Sequence, residues 1–323
     1  MSAPVTSALV SLEEVRQAAA RLREVVVRTP LHVSVELSEH LGAEVRLKCE
    51  SLQRAGSFKA RGANNFILQL TAEEAERGVI TYSSGNHAQA VALAAGLRDV
   101  RAVVVMPTTA PAVKREGARR LGAEVVLEGT TSLERKERAE AIAAAEGLTM
   151  VPPFDHPWII AGQGTVGLEI VEEWPEVDTV VIPVGGGGLA SGVSAAVRRL
   201  VPDARIVGVE PEGAASLRAA LDAGGPVVLD RIDTIADGLA PVRTGDLTFQ
   251  HMRDLADDVV TVTDGAIRDA ARFLLVRQKL VVEYSGAAAL AGLRERLVGH
   301  GRRVAVVLSG GNLDASLLPE LLA

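Results

Sequence analysis

Residues 179–200 read TVVIPVGGGGLASGVSAAVRRL: an apolar β-branched run, four consecutive glycines, then an amphipathic stretch. The run has the length and Val/Ile content of a strand buried on both faces, and LASGVSAAVRRL has helical spacing. Strand, glycine turn and helix in that order make the unit of a parallel α/β sheet, so this stretch sets the fold class. The alternation recurs along the chain. Strand-like runs appear at EVRLKCE (44–50), GVITYSS (78–84), VRAVVVM (100–106), EVVLE (124–128), RIVGVE (205–210) and RVAVVLS (303–309), with Ala/Leu/Arg/Glu-rich helical stretches between most of them. Ser11 with Glu14 and Thr71 with Glu74 have capping-box spacing, and SLERKERAEAIAAAEG (132–147) predicts one solvated helix that packs an alanine face and ends at Gly147.

Composition narrows the classes. A chain of 323 residues, 48% hydrophobic, buries a large core in one large or two medium domains. Its 34 Lys+Arg against 41 Asp+Glu give a net charge of −7 and leave no basic stripe to follow a nucleic-acid backbone. The single cysteine, Cys49, excludes an internal disulfide or a cysteine metal cluster, and its place in EVRLKCE predicts a small buried hydrophobe. No segment has the roughly 20 apolar residues of a membrane span, and the N-terminus lacks a leader pattern. These features lead us to expect a cytoplasmic protein.

In an open parallel sheet, ligands bind beyond the carboxyl ends of the strands. Three such ends carry unusual loops here: SSGNHAQA (83–90), GGGGLASG (185–192) and SGGN (309–312). Gly185, Gly186, Gly187 and Gly188 let the backbone approach a ligand and turn N–H groups toward it, and the following helix start favours an anion, so the loop reads as a phosphate cradle. Two alternatives stay open at this point. The loop could be a flexible linker; or Gly185, Gly187 and Ala190, with Glu210 about 20 residues on, could be a dinucleotide fingerprint.

The lysines discriminate. There are five, and Lys48, Lys114, Lys136 and Lys279 lie in contexts that suggest solvated strand or helix positions. Lys59 differs: it follows Gly56-Ser57-Phe58 and heads a helical run, where the helix dipole and nearby cations favour a neutral amine able to form a Schiff base, the alternative at this point being an ordinary surface charge near a helix start. A nicotinamide-dependent oxidoreductase would leave Lys59, Asn86 and Ser309 without a task.

SFKARGA, SSGNHAQA, AGQGTVGLEI, IPVGGGGL, GVEPE, IADGLA and VVLSGGN, in this order from about Arg28 to Leu313, resemble the serine/threonine dehydratase and serine racemase family, pyridoxal-phosphate enzymes of fold type II. The resemblance implies two open, twisted, mainly parallel sheets, in a large domain (residues 1–70 and 153–323) and a small substrate-closing domain (71–152), joined near the Pro-rich VPPFDHP. It implies pyridoxal 5′-phosphate held by Lys59, with Phe58 beside the ring, Asn86 on the ring hydroxyl, and Gly185 to Gly188 with Leu189 around the phosphate. Gly238 and Glu283 are placed near the same group. Ser83, Ser84, Gly85, Asn86 and His87 receive the substrate carboxylate.

Ser309 falls where the family bonds the pyridine nitrogen, and a hydroxyl, unlike an aspartate, does not hold that nitrogen protonated, which favours elimination over transamination. The implied reaction is loss of water from a small 3-hydroxy amino acid, L-threonine or L-serine, to a 2-oxo acid and ammonia. In it Lys59 removes the α-proton. Ser84 stands where racemase members carry a second acid/base, so serine racemisation is an alternative, as is 3-hydroxyaspartate as substrate. A homodimer is the expected assembly, and the short tail after SGGN leads us to expect no C-terminal regulatory domain.

Two positions depart from the family. Ser216 replaces an aspartate that completes a divalent-cation site with Glu210 and the Ala214 carbonyl, which puts that cation in doubt. Tyr284 replaces the proline expected after Glu283.

Overall fold

The computed structural model describes residues 9–83, 85–110 and 112–322. Among these described residues there are ten strands: β1 Leu31–Val33, β2 Glu44–Cys49, β3 Val79–Tyr82, β4 Ala102–Met106, β5 Glu124–Leu127, β6 Thr149–Met150, β7 Thr179–Pro183, β8 Arg205–Pro211, β9 Asp258–Val262 and β10 Arg303–Leu308. They form two open sheets, β1-β2-β10-β7-β8-β9 and β5-β4-β3-β6. Every pairing is parallel except β1 with β2. The α/β class and the mainly parallel sheets are therefore as expected. The sequence reading missed β1, β6 and β9.

Local signals explain the elements. Val180, Val181 and Ile182 of β7 have no exposure, as a central strand covered on both faces requires. The two expected capping boxes form, and Thr131 with Glu134 makes a third at the start of the helix Ser132–Glu146, which Gly147 ends at φ 70°. Cys49 is buried, and burial raises its thiol to about 11. No helix among the described residues is long and apolar enough to cross a membrane.

The helix Lys59–Ile67 is held from two sides. Gly62 faces Gly162 of the helix Pro157–Glu173 so closely that a Cβ on Gly162 would stand 2.7 Å from the Gly62 Cα. Its other tether is Arg61, fully buried one turn into the helix. The Arg61 guanidinium donates to both Glu50 oxygens at 2.8 Å and to Glu169 at 2.7 and 2.9 Å. Lys48 Nζ, also without exposure, donates to Glu169 at 2.6 Å and to the Thr29 carbonyl at 2.7 Å. Two cations and two carboxylates neutralise one another in the interior. Burial works to raise the Glu50 carboxyl, but the Arg61 charge and its hydrogen bonds win and hold it below the ordinary value. The solvated strand position expected for Lys48 is thus wrong: the helix Pro157–Glu173 covers it and supplies its counter-ion.

Removing one member of such a cluster strands the others without compensation. Arg61→Ala is expected to lower unfolding stability by about 3–5 kcal/mol in urea denaturation. A loss under about 1 kcal/mol, the scale of an exposed pair, would contradict the role given to the cluster.

Candidate active site

The carboxyl ends of β3, β7 and β10 converge on one cleft of about 160 Å³. Lys59 stands at its centre. The two residues before it are tied to the end of β10, Ser57 by a bridge to Gly310 and Phe58 by its N–H to the Ser309 carbonyl at 3.1 Å. Lys59 then opens its helix and donates from Nζ to the Pro153 carbonyl at 2.6 Å. Burial lowers its amine to about 8. Desolvation is the cause of this shift, in place of the helix dipole and nearby cations expected from the sequence. A fraction of the amine is therefore neutral at physiological pH and can attack a carbonyl. Phe58 lies alongside, its ring centroid 5.3 Å from Nζ.

The glycine loop forms the floor. Gly185 packs on the 238–239 backbone, where a Cβ would meet the Leu239 Cα at 3.0 Å, and Gly187 takes φ 91°. A Cβ on Gly186 would enter the Phe154 ring, and one on Gly188 would lie 2.9 Å from the Phe154 Cβ. Only glycine fits at these positions. Thr248 Oγ1 ties the loop by donating to the Gly186 carbonyl at 2.7 Å. The helix Gly188–Leu200 starts here without a side-chain cap, with Leu189 buried behind it, so its first N–H groups are available to an anion.

Ser83, Gly85, Asn86 and His87 form the facing wall at the start of the helix Asn86–Gly96. Ser84 lies outside the described residues. Asn86 donates from Nδ2 to Glu283 Oε1 at 2.5 Å and accepts from Asn312 Nδ2 at 2.8 Å. Burial raises the Glu283 carboxyl to about 7, against the opposing Asn86 bond. His87 is buried with Nε2 3.2 Å from the Val151 carbonyl, and burial, then the Lys59 charge, lowers it to about 3. The ring stays neutral across the physiological range. Gly238 N–H donates to Ser285 Oγ at 2.8 Å, and Ser309, 4% exposed, lines the end of the cleft.

Several cleft residues were not read from the sequence. Lys114 pairs with Asp237 across the mouth, so its expected solvated position is also wrong; Lys136 and Lys279 are exposed as expected. Arg135 sits in the charged run 132–146 yet is buried in the cleft wall. Its Nη1 donates to the Thr130 carbonyl at 3.2 Å, its Nε has no partner, and no carboxylate pairs with it among the described residues. Burial lowers it. Phe154 seals the glycine loop from a segment that reads only as a Pro-rich crossing. Tyr284 begins the helix Tyr284–Arg294 and packs into the core among residues such as Leu37 and Ile267, away from the cleft.

The cation reading does not fit this chain. Glu210 lies beside Ala214 and Ser216, but its two oxygens accept the Leu217 and Arg218 N–H groups, each at 2.8 Å. Both oxygens cap a helix start instead of facing an ion, and the buried Ser216 hydroxyl offers no second carboxylate. Among the described residues no three His, Cys, Asp or Glu side chains converge on a common point.

A partly neutral lysine, an N–H cradle for a phosphate and a hydroxyl in one cleft define a site for a phosphorylated aldehyde cofactor. Residues 22–310 match the family of pyridoxal-phosphate dependent enzymes, and the chain belongs to it. It is 45% identical to the L-threonine ammonia-lyase of Thermotoga maritima over 97% of this chain and 78% of that one. It is 40% identical to an L-threo-3-hydroxyaspartate ammonia-lyase from Pseudomonas over 97% and 99% of the two chains. The structure of maize serine racemase superposes with a TM-score of 0.93 at 38% identity, covering 98% of this chain and 97% of that one. The cofactor is pyridoxal 5′-phosphate, and the residues present fit it: Lys59 would take the aldehyde, Gly185 to Gly188 the phosphate and Ser309 the ring nitrogen.

Only the neutral amine reacts with the aldehyde. Cofactor uptake by the apoprotein, followed as growth of visible absorbance, is therefore expected to rise with pH to a half-point near 8, and to be absent in Lys59→Ala. A half-point near 10.5, the ordinary lysine value, would show that burial does not tune Lys59.

Proposed function

We propose that this protein eliminates water from a small 3-hydroxy amino acid, L-threonine or L-serine, and releases a 2-oxo acid and ammonia. The observation that carries the reading is the pairing of Lys59 and Ser309 in one cleft: a base that is about half neutral near pH 8, and a ring-nitrogen partner that cannot hold that nitrogen protonated. Pyridoxal 5′-phosphate supplies the carbon that takes up the substrate amine and the ring that accepts the electron pair of the α C–H bond.

The chain supplies the rest. The N–H groups and side chains at Ser83, Gly85 and Asn86 receive the substrate carboxylate at a helix start. Lys59 Nζ takes the α-proton, and the Pro153 carbonyl that accepts from it at 2.6 Å holds the amine in place. Breaking the α C–H and β C–O bonds releases hydroxide, which leaves with a proton as water. The resulting enamine takes up water and yields the 2-oxo acid and ammonia. His87, neutral and bonded to Val151, shapes the wall without adding a charge.

Arg135 favours a second reading. A buried guanidinium with no carboxylate partner among the described residues could pair with a second substrate carboxylate, which 3-hydroxyaspartate has and threonine lacks. A substrate panel scored for ammonia and 2-oxo acid separates the two. L-threonine and L-serine are expected to give the higher kcat/KM, with Arg135→Met changing them by less than about tenfold. If L-threo-3-hydroxyaspartate gives the highest kcat/KM and Arg135→Met removes that preference selectively, the second reading replaces the first.

A further inference from the structure

Residues 151–157, VPPFDHP, run from β6 to the helix Pro157–Glu173, and successive residues have separate anchors. The Val151 carbonyl accepts from Thr81 Oγ1 at 2.8 Å and lies 3.2 Å from His87 Nε2. Pro152 and Pro153 have no N–H, so this stretch presents only carbonyls, and that of Pro153 receives the Lys59 amine. Phe154 closes over Gly186 and Gly188.

Asp155 contacts neither Lys59 nor the glycine loop directly. Its Oδ1 accepts the Leu247 N–H at 3.0 Å and the Thr248 N–H at 3.1 Å, and its Oδ2 accepts the Asp246 N–H at 3.0 Å. These are the orphan donors at the start of the helix Asp246–Leu255, whose preceding residue Gly245 has no side chain with which to bond them. A Cβ on Gly245 would overlap the Asp155 carboxylate. Thr248, held by Asp155 through its N–H, donates its hydroxyl to the Gly186 carbonyl. A closed ring of contacts results: Asp155 to Thr248, Thr248 to Gly186, Gly186 to Phe154, and Phe154 back to Asp155 through the chain.

We propose that Asp155 is a positioning residue for the cofactor site, and that its three backbone hydrogen bonds hold the Pro153 carbonyl against Lys59 and the Phe154 ring against the glycine loop. A carboxylate suits this because it accepts several N–H bonds at once and its charge is favoured at a helix start. The inference rests on the cofactor site described above and not on the choice of substrate. Its readouts do not involve turnover, so failure of the elimination reading would not decide it.

The test uses the full chain as Asp155→Ala, Asp155→Asn and Gly245→Ala, the last displacing the carboxylate without removing it. Two quantities are read on the apoprotein: the dissociation constant for pyridoxal 5′-phosphate, and the pH half-point of cofactor uptake at Lys59. Asp155→Ala and Gly245→Ala are expected to weaken cofactor binding by about tenfold or more and to move the half-point up from about 8 as water reaches the loosened amine. Asp155→Asn keeps the oxygen that accepts from Leu247 and Thr248 and should fall between these and wild type. Thermal unfolding of each apoprotein reports the helix cap separately. A lowered Tm with unchanged affinity and half-point would make Asp155 a structural cap only and overturn the proposal. If Asp155→Ala does not fold, Gly245→Ala and Asp155→Asn give the same two readouts and decide it.

Discussion

The Arg61 guanidinium is buried where water cannot reach it, and five segments meet to satisfy it or its partners: residues 27–29 through the Val27 and Thr29 carbonyls, β2 through Lys48, the turn after it through Glu50, the helix Lys59–Ile67 itself, and the helix Pro157–Glu173 through Glu169. A buried charge of this kind tolerates one arrangement of its neighbours, since a small displacement leaves a carboxylate or an ammonium without a counter-ion. The helix is thereby fixed in rotation and along its axis, and the Gly62–Gly162 contact fixes its distance from the next helix. Lys59 lies two residues before Arg61. Its direction into the cleft follows from that constraint.

Once the amine is placed, its environment sets its chemistry. Burial lowers Lys59 to about 8 and His87 to about 3, and raises Glu283 to about 7, so three titratable groups around one cleft are all shifted toward their neutral forms. The result is a cavity with reduced fixed charge near Lys59, which offers N–H dipoles to a phosphate at one helix start and to a carboxylate at another. The exceptions are at the rim. Lys114 with Asp237 spans the mouth, and Arg135 lies in the wall with no carboxylate paired to it among the described residues.

Much of this was legible in the sequence because central parallel strands announce themselves as unbroken apolar runs, and because the loops at their ends need glycine and small polar residues. β1, β6 and β9 were missed for the converse reason: three and two residues are too few to show a period, and DVVTV at β9 becomes a strand only through its register with β8. Lys59, Asn86, the four glycines and Ser309 do converge, since each stands just beyond a strand or turn marked by its own local signal. Lys48, Arg135, Phe154 and Asp155 carry no such mark. A lysine in an alternating strand and an arginine in a charged helix read as solvated until the packing partner is known. Phe154 and Asp155 act on glycines and N–H groups distant in sequence. The Glu210 oxygens, spent on two backbone N–H groups, show the limit of carrying a ligand set across a family by position alone.

The central claim is that Lys59, and no other amine, forms the bond to the cofactor. Lys114 is the only other lysine that lines the cleft among the described residues, which makes it the informative competitor. Reduction of the holoenzyme with borohydride, proteolysis and mass mapping of the pyridoxyl group tests this directly. The account predicts the group on the peptide containing Lys59 and on no other; a group found on Lys114, or shared between the two, would contradict it.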